Sequence, residues 1–165
     1  MSPYLRELRN KVGNDLLLLP AVSVFVIDEI THQVLLCRNA GQTHWEAIGG
    51  MVEPHEHPLV AAQRELQEET GLIVEAKDLV LLGSVGGPEY LVTYPNGHQV
   101  SYVTSVYRVS RGARQQGSEQ PYEAVADGVE ITAVGWHHLG DVAQPDPADY
   151  GLFVRSLLAE FVTQL

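Results

Sequence analysis

Apolar runs near the start of the chain predict a short helix followed by paired strands. A Ser-Pro pair at positions 2 and 3 and a glycine at position 13 are typical of the start and end of a helix, which is predicted over about residues 2–13. The apolar run Leu16–Ile27 predicts one or two buried strands that are broken at Pro20. After a polar turn, Gln33–Arg38 is predicted to form the return strand.

A second helix is predicted over His57–Thr70, with Pro58 at its first position and Gly71 after its end. A polar, glycine-rich stretch over residues 111–128 is predicted to be a loop. The remaining pattern predicts strands over Leu79–Val85, Tyr90–Tyr94, His98–Val109 and Val129–Trp136, and a closing amphipathic helix over about residues 149–164. Because strands and helices are interleaved, we expect a single α/β or α+β domain over residues 1–165 with a mixed β-sheet.

Composition narrows the class of protein. Hydrophobic residues make up 45% and charged residues 19% of the 165 residues, which is typical of a folded domain rather than a disordered chain. The run Leu16–Ile27 is too short to span a bilayer, so no membrane partner is expected. The single cysteine, Cys37, excludes an internal disulfide, and the first residues lack the pattern of a signal peptide. These features favour the cytoplasm.

Net charge limits the partners of the protein. The formal charge of −11 would repel the backbone of DNA or RNA, so no polymeric nucleic acid is expected as a partner. The same charge would repel a small phosphorylated molecule. An anionic substrate would therefore need a local source of positive charge, which a divalent metal held by carboxylates would supply.

Three glutamates of the second predicted helix share one side. Glu65, Glu68 and Glu69 fall within an arc of about 100°, beside a stripe that can face the core, formed by Leu59, Ala62, Leu66 and Thr70. Clustered carboxylates repel one another, and their hard oxygen atoms suit Mg²⁺ or Mn²⁺. Taken alone, the three glutamates are better explained as a solvated acidic face than as a metal site.

The wider pattern is more specific than the three glutamates. Gly50 is followed after five residues by Glu56, and after seven more by the run Arg64-Glu65-Leu66-Gln67-Glu68-Glu69-Thr70-Gly71-Leu72. This pattern resembles the Nudix box of the Nudix hydrolase family at every defining position. The resemblance implies an α/β/α sandwich with a mixed sheet between helices, and hydrolysis of a nucleoside diphosphate linked to another group X, with Mg²⁺ or Mn²⁺ as cofactor.

The resemblance also implies roles for the residues of the box. Glu65 and Glu69 would be the principal metal ligands, and Glu68 a ligand or a water-mediated partner. The carbonyl oxygen of Gly50 would add a further ligand. Glu56 would orient the site through Arg64, which argues for a positioning role of this arginine rather than a clamp on substrate.

Two positions depart from the family pattern. Ile48 stands where the family commonly has proline, and His55 where a glycine is frequent. Neither change removes a ligand. Both put the geometry of the loop before the helix in doubt.

A general base is expected outside the box, on a later loop or strand. The candidates are Glu119, Glu123, Asp127 and Glu130. Glu130 leads the strand towards Trp136 and is the first choice, although each of the four can equally solvate a loop.

Substrate recognition is weakly marked in the sequence. Trp45, Tyr90 and Tyr94 are candidates for stacking on a nucleobase, with ordinary sheet aromatics as the alternative. Arg38 is a candidate for pairing with phosphate, with a salt bridge as the alternative. A homodimer is expected at the level of the family only.

Two other functions compete with hydrolysis. A catalytically silent, nucleotide-sensing module with the same fold would be expected to lack box ligands, and all of them are present here. An isomerase acting on a prenyl diphosphate would need a catalytic cysteine in an active-site strand, for which Cys37 is weak support. A small-molecule nucleotide diphosphate is therefore the expected substrate.

Overall fold

Two sheets form the middle of the fold in a computed structural model that describes residues 2–109, 123–126, 128–144 and 148–165. The strands are β1 (Leu17–Phe25), β2 (Ile27–Asp28), β3 (Gln33–Asn39), β4 (Ile48–Met51), β5 (Leu79–Val85), β6 (Leu91–Thr93), β7 (Gln99–Val109) and β8 (Ile131–His138). One sheet has the order β4-β1-β7-β5, with β6 also paired to β7, and the other has the order β2-β3-β8. The β1–β7 pair is parallel and the other strand pairs are antiparallel, so the predicted mixed sheet is confirmed.

Strand β1 runs through Pro20 without a break, contrary to the sequence prediction. The Pro20 carbonyl accepts a hydrogen bond from the Val52 amide at 3.1 Å, on the side of β4. The N–H and C=O groups of one strand residue point the same way, so the missing N–H of Pro20 also faces that side. The register of β4 on β1 begins with Ala21 opposite Met51, so the proline lies where this ladder ends and no central hydrogen bond is lost.

In the described ranges, the sheets are flanked by the helices α1 (Pro3–Val12), α2 (Pro58–Thr70), α3 (Leu139–Val142) and α4 (Leu152–Phe161). Helix α2 begins as the sequence predicts, because His57 Nδ1 accepts from the Leu59 amide at 3.1 Å and Pro58 needs no donor there. It ends where Gly71 adopts a φ of 74° and donates to the Gln67 carbonyl at 2.8 Å. Within the described part of the chain, no helix is both long and apolar enough to cross a membrane.

Some elements are shorter than the sequence predicts. Helix α4 ends at Phe161 and continues as a 3₁₀ turn, Val162–Gln164. Strand β6 begins only at Leu91, because Pro88–Tyr90 forms another 3₁₀ turn. Proline at the first position of that turn fixes the φ that a 3₁₀ turn needs and removes a donor that a strand would need.

Strand β7 contributes side chains to both layers of the core. Tyr107 and Val109 belong to the cluster under α2, whereas Val106 belongs to the cluster under α4. Alternation along the strand places these residues on opposite faces. The helix α2 buries Leu66 and its neighbours on the face predicted from the sequence, and the fold is the expected α/β/α sandwich.

Candidate active site

The three glutamates of α2 lie in different surroundings. The Glu65 side chain is 13% exposed and the Glu68 side chain is 61% exposed. One carboxylate oxygen of Glu69 accepts from the Gly49 amide at 2.9 Å and lies 3.6 Å from the Cys37 sulfur. The acidic side of α2 is therefore partly packed against β3 and β4 and is not a fully solvated face.

Burial raises the pKa of two of these carboxyl groups. It raises the pKa of Glu69 to about 8, the nearby negative charge of Glu65 adds to this effect, and the Gly49 amide opposes it. Burial also raises the pKa of Glu65, and the hydrogen bond from Arg64 counteracts this rise. Both groups would gain from a nearby cation, because it would stabilise their ionised forms.

Arg64 joins the helix to the loop before it. Its Nε and Nη2 atoms donate to the two carboxylate oxygens of Glu56 at 2.8 and 2.9 Å, and Nη2 also donates to the Met51 carbonyl at 3.0 Å. Its Nη1 atom donates to Glu65 at 2.6 Å and to Glu68 at 3.2 Å. These five contacts match the five N–H donors of a guanidinium, so Arg64 has no donor left for a phosphate.

The pair with Arg64 also fixes the ionisation of Glu56. The hydrogen bond from the guanidinium holds the pKa of this carboxyl below its usual range. Glu56 in turn accepts from the Glu53 amide at 3.0 Å, which ties the loop to the start of α2.

The two departures from the family pattern have visible consequences. Ile48 is fully buried and pairs with Val24, so β4 enters the loop as a regular strand without a proline. His55 adopts a φ of 67°, the left-handed conformation that glycine takes without strain. The loop keeps the backbone expected of the family pattern, with a histidine in a strained position.

Two glycines let β4 approach its neighbours closely. Gly49 has a φ of 147°, and a Cβ there would lie 2.9 Å from the Ser23 Cα atom. A Cβ on Gly50 would lie 2.6 Å from the carboxyl carbon of Glu65. The first glycine is thus required by the backbone of β1, and the second by the carboxylate of α2.

These groups face a cavity of about 630 Å³, here called the glutamate cleft. Its lining is formed by Ser2, Pro3, Leu5, Asn39, Gly49, Gly50, Met51, Glu53, Arg64, Glu65, Glu68, Glu69, Tyr94 and Glu130. A second cavity of about 340 Å³, the tyrosine pocket, shares Tyr94 and β4 with it and adds Glu46, Tyr102 and Phe153, among other residues. The two cavities are therefore neighbours along β4.

The donor set of the cleft suits a hard divalent cation, although the side chains are not arranged around one. Within residues 2–109, 123–126, 128–144 and 148–165, no three His, Cys, Asp or Glu side chains converge as a ready-made metal site. Carboxylate oxygens nonetheless dominate the lining, and burial raises the pKa of Glu65 and Glu69. Oxygen donors of this kind fit Mg²⁺ or Mn²⁺ better than zinc.

A family model decides the class of the protein. The model of the NUDIX domain matches residues 17–157. The chain belongs to the Nudix family. It is therefore a Nudix pyrophosphohydrolase, an enzyme class that acts on diphosphate bonds.

Solved Nudix structures share the fold. A MutT NUDIX hydrolase from Burkholderia pseudomallei is 23% identical, covers 86% of this chain and 96% of its own, and has a TM-score of 0.62. A C. elegans Ap4A hydrolase, solved as a binary complex, is 21% identical, covers 87% of this chain and 96% of its own, and has a TM-score of 0.55. The E. coli dihydroneopterin triphosphate pyrophosphohydrolase is 20% identical, covers 88% of this chain and 96% of its own, and has a TM-score of 0.61. No curated protein matches the chain significantly.

Of the four candidates for the general base of this Nudix enzyme, the structure describes two, and one of these lines the cleft. Glu130 lines the glutamate cleft. Glu123 is exposed and does not line the cleft as the structure describes it. Glu119 and Asp127 lie outside the described residues.

The sequence candidates for substrate binding do not lie together. Tyr94 lines both cavities, and its hydroxyl is 2.7 Å from that of Tyr102. Tyr90 is 5% exposed and packs edge-on against Phe153 in the core, so a stacking role for it lacks the open face that a base would need. Of the two tyrosines predicted to bind the substrate, Tyr94 lines the described cavities and Tyr90 does not.

Arg38 and Trp45 interact with each other instead of with the cavities. The guanidinium carbon of Arg38 lies 4.7 Å from the Trp45 ring centroid, and the Trp45 ring lies 4.3 Å from that of His137. Neither side chain is part of the lining of either cavity as described here. The position of this pair is explained by the cation–π contact between the two side chains, with Trp45 packed against the core cluster under α4.

Sequence reasoning missed several residues of the tyrosine pocket. Tyr102 follows the alternation of β7, which gives its face but not its partner across the sheet. Glu46 lies in the pocket with its carboxylate 2.9 Å from His44 Nε2, and burial raises its pKa. The sequence signal for Glu46 is its position: it is an ionisable residue between the candidate Trp45 and the box that begins at Gly50.

Cys37 has no access to a substrate in this structure. It is 1% exposed, and burial together with the charge of Glu69 raises the pKa of its thiol. A buried, protonated thiol is a poor acid or nucleophile. This placement weighs against the isomerase alternative.

Proposed function

We propose that this Nudix enzyme hydrolyses the diphosphate bond of a nucleoside diphosphate linked to a group X, and that it needs Mg²⁺ or Mn²⁺. The observation that carries the proposal is the packing of the carboxylates of α2 against β4. There, the carboxylates of Glu65 and Glu69 pack against Gly50 and Gly49 at the wall of a cleft large enough for a diphosphate. The alternative is a silent binding module, which has the same fold and differs only in turnover.

The residues that would hold the metal are Glu65, Glu69 and the Gly50 carbonyl, with Glu68 as a ligand or a water-mediated partner. When bound, the divalent ion supplies positive charge to the diphosphate and makes a water molecule more acidic. Arg64 already bonds Glu65 and Glu68, so these two side chains would exchange part of that contact for the metal.

The other residues of the cleft would position or move a proton. Arg64 and Glu56 hold the loop and α2 in register, which fixes where the carboxylates can reach. Glu130 would take a proton from the attacking water at its carboxylate, which its place in the cleft lining supports. Attack on phosphorus forms the new P–O bond as the bridging P–O bond breaks, and a nucleoside monophosphate or a phosphorylated X leaves.

The nucleoside would lie in the tyrosine pocket. Tyr94 borders both cavities, so a diphosphate in the glutamate cleft would place its nucleoside beside the Tyr94–Tyr102 pair and Phe153. Aromatic side chains provide a stacking surface for any nucleobase. The net charge of −11 supports a small-molecule substrate over a polymeric nucleic acid.

Location and assembly belong to the same proposal. The free, buried thiol of Cys37 is compatible with a reducing compartment and supports the cytoplasm. A homodimer is carried by family expectation alone, and sedimentation of the purified protein would test it.

A substrate panel at fixed Mg²⁺ tests the reaction. It should include ADP-ribose, dinucleoside polyphosphates, nucleotide sugars, and normal and oxidised dNTPs, with and without excess chelator. We expect turnover that chelation abolishes, and ¹⁸O water to identify the phosphorus that is attacked. Absence of turnover across the panel, with tight nucleotide binding, would favour the binding module.

Two substitutions test the assigned roles. Glu69→Gln should lower kcat at least about 10²-fold with an unchanged circular dichroism spectrum. Glu130→Gln should lower kcat by about 10²-fold or more and remove one limb of the pH–rate profile. Glu123→Gln is the matched control, because it removes the same charge outside the cleft. A wild-type rate in Glu69→Gln would refute the metal site.

A further inference from the structure

Helix α1 lies outside the residues that match the family, yet its first turn reaches the active site. The family match begins at residue 17, whereas α1 spans Pro3–Val12. Ser2, Pro3 and Leu5 nonetheless line the glutamate cleft together with the carboxylates of α2. The start of α1 is therefore part of the wall of this cavity.

Arg9 fixes the other end of α1 to the body of the domain. It is 6% exposed, and its Nη2 atom donates to the Gln99 carbonyl at the start of β7 at 2.7 Å. Its Nη1 atom donates to the carbonyls of Asp15 at 2.7 Å and Gly13 at 3.2 Å. A buried guanidinium is costly to desolvate unless such partners satisfy it, so a displaced α1 would leave this charge without its acceptors.

The anchored end of α1 lies near the aromatic end of the site. Arg9 donates to the carbonyl of Gln99, three residues before Tyr102 on β7, and Tyr102 shares a hydrogen bond with Tyr94 in the tyrosine pocket. Helix α1 has ten residues; its first turn lines the glutamate cleft, and Arg9, near its other end, is bonded to β7. The helix therefore connects the wall of the glutamate cleft with the strand that carries Tyr102.

We propose that α1 is a wall of the glutamate cleft, held in place by Arg9, and that it limits the size of the group X that the enzyme accepts. The proposal rests on the proposed function, since X is defined by it. Arg9 is a positioning residue here, and Leu5 supplies the surface that X would meet. A cleft of about 630 Å³ admits a compact X such as a pentose phosphate or a hexose. On this proposal, α1 excludes a diphosphate at the end of an oligonucleotide.

Hydrogen exchange tests the wall without any need for turnover. Arg9→Met removes the three hydrogen bonds and keeps an unbranched, apolar stem in place of the arginine stem. It should increase exchange at least ten-fold across residues 3–12 and across residues 49–53 of the cleft, with α4 unchanged. Arg6→Met is the matched control, because Arg6 is an exposed arginine of the same helix and is not part of the cleft lining as described. Equal exchange in the two variants would overturn the wall.

Kinetics tests the selection by size. The probes are ADP-ribose as the compact substrate and a 5′-diphosphate-linked oligonucleotide as the extended one. Arg9→Met should raise KM for ADP-ribose about five-fold with kcat within two-fold, and should lower the preference for ADP-ribose at least ten-fold. Leu5→Ala should lower the preference for ADP-ribose about three-fold without faster hydrogen exchange in α1. This second variant tests the selection by size even if the Arg9 variant folds poorly.

The outcomes separate the two proposals. If the wild-type enzyme hydrolyses neither probe nor any member of the substrate panel, the proposed function fails, while hydrogen exchange still decides whether α1 is a wall. If it hydrolyses ADP-ribose and both variants keep the wild-type preference, selection by α1 is refuted and the proposed function stands.

Discussion

The Gly49-Gly50 pair offers a test that separates stability from catalysis with two adjacent substitutions. Gly49→Ala places a Cβ at a φ of 147°, in overlap with the Val22 carbonyl oxygen and 2.9 Å from the Ser23 Cα atom. The backbone strain costs about 1–3 kcal/mol, and overpacking against a rigid strand adds about 1–3 kcal/mol. We expect a loss of about 4 kcal/mol, a large part of the stability of a domain of this size.

Gly50→Ala should behave differently, although its new Cβ also meets an occupied position. The obstacle there is the Glu65 carboxylate, 2.6 Å away at its carboxyl carbon, and this side chain can rotate. We expect stability within about 1 kcal/mol of wild type. Turnover should fall about 10²-fold, because Glu65, a proposed metal ligand, would be displaced by about 1 Å or more.

Urea unfolding and steady-state turnover of both variants give the result. Gly140→Ala is the control, because a Cβ there meets nothing within 4 Å and lies in helix α3. The reasoning is refuted if Gly50→Ala retains full turnover with normal folding. It is also refuted if Gly49→Ala is as stable as the control.

Three further predictions follow from single side chains. His55→Gly should raise the free energy of unfolding by up to about 0.5 kcal/mol, because relief of the left-handed strain exceeds the entropy that glycine adds to the unfolded chain; urea unfolding that shows a clear loss would contradict this. Burial and the charge of Arg38 lower the pKa of His137 from its ordinary value of 6.5, so its contribution to stability is present above pH 6.5 and is lost as the pH falls through the lower folded-state pKa. The difference in unfolding free energy between wild type and His137→Asn should shrink from pH 7 to pH 5, and a constant difference would be evidence against it. Cys37, 1% exposed and with a raised pKa, should react with a disulfide reagent at pH 8 at least 10²-fold more slowly in the native protein than in urea.

Local signals were sufficient for the central part of the site. His57, Pro58 and Gly71 fix the ends of α2 through contacts within a few residues, so the sequence predicts this helix to within one residue. Helical periodicity then places Glu65 and Leu66 on adjacent sides. The fold class followed from the order of elements in the same way.

Long-range contacts account for what the sequence did not reveal. Tyr94 faces the cleft and Tyr90 is buried because of how β6 pairs with β7 and because of the 3₁₀ turn that begins at Pro88. The contact of Arg9 with Gln99 joins residues ninety positions apart, and no periodicity near Arg9 points to it. Arg38 and Trp45 likewise come into contact only once β3 has folded against its neighbours. This contact takes the place of their predicted roles in phosphate pairing and base stacking.

The charges of the glutamate cleft predict that the proposed metal and substrate bind as one event. Among the residues described in the lining, Arg64 is the single arginine or lysine, and its five donors are already engaged with Glu56, Glu65, Glu68 and Met51. Within the described part of the chain, Glu69 has neutral hydrogen-bond partners, the Gly49 amide and the Cys37 thiol, so no cationic side chain directly stabilises its ionised form. A diphosphate that enters this lining alone meets carboxylates without a free cationic group. Under the proposed function, affinity for the diphosphate would therefore come mainly from the proposed divalent ion, while the protein would contribute the geometry that holds this ion.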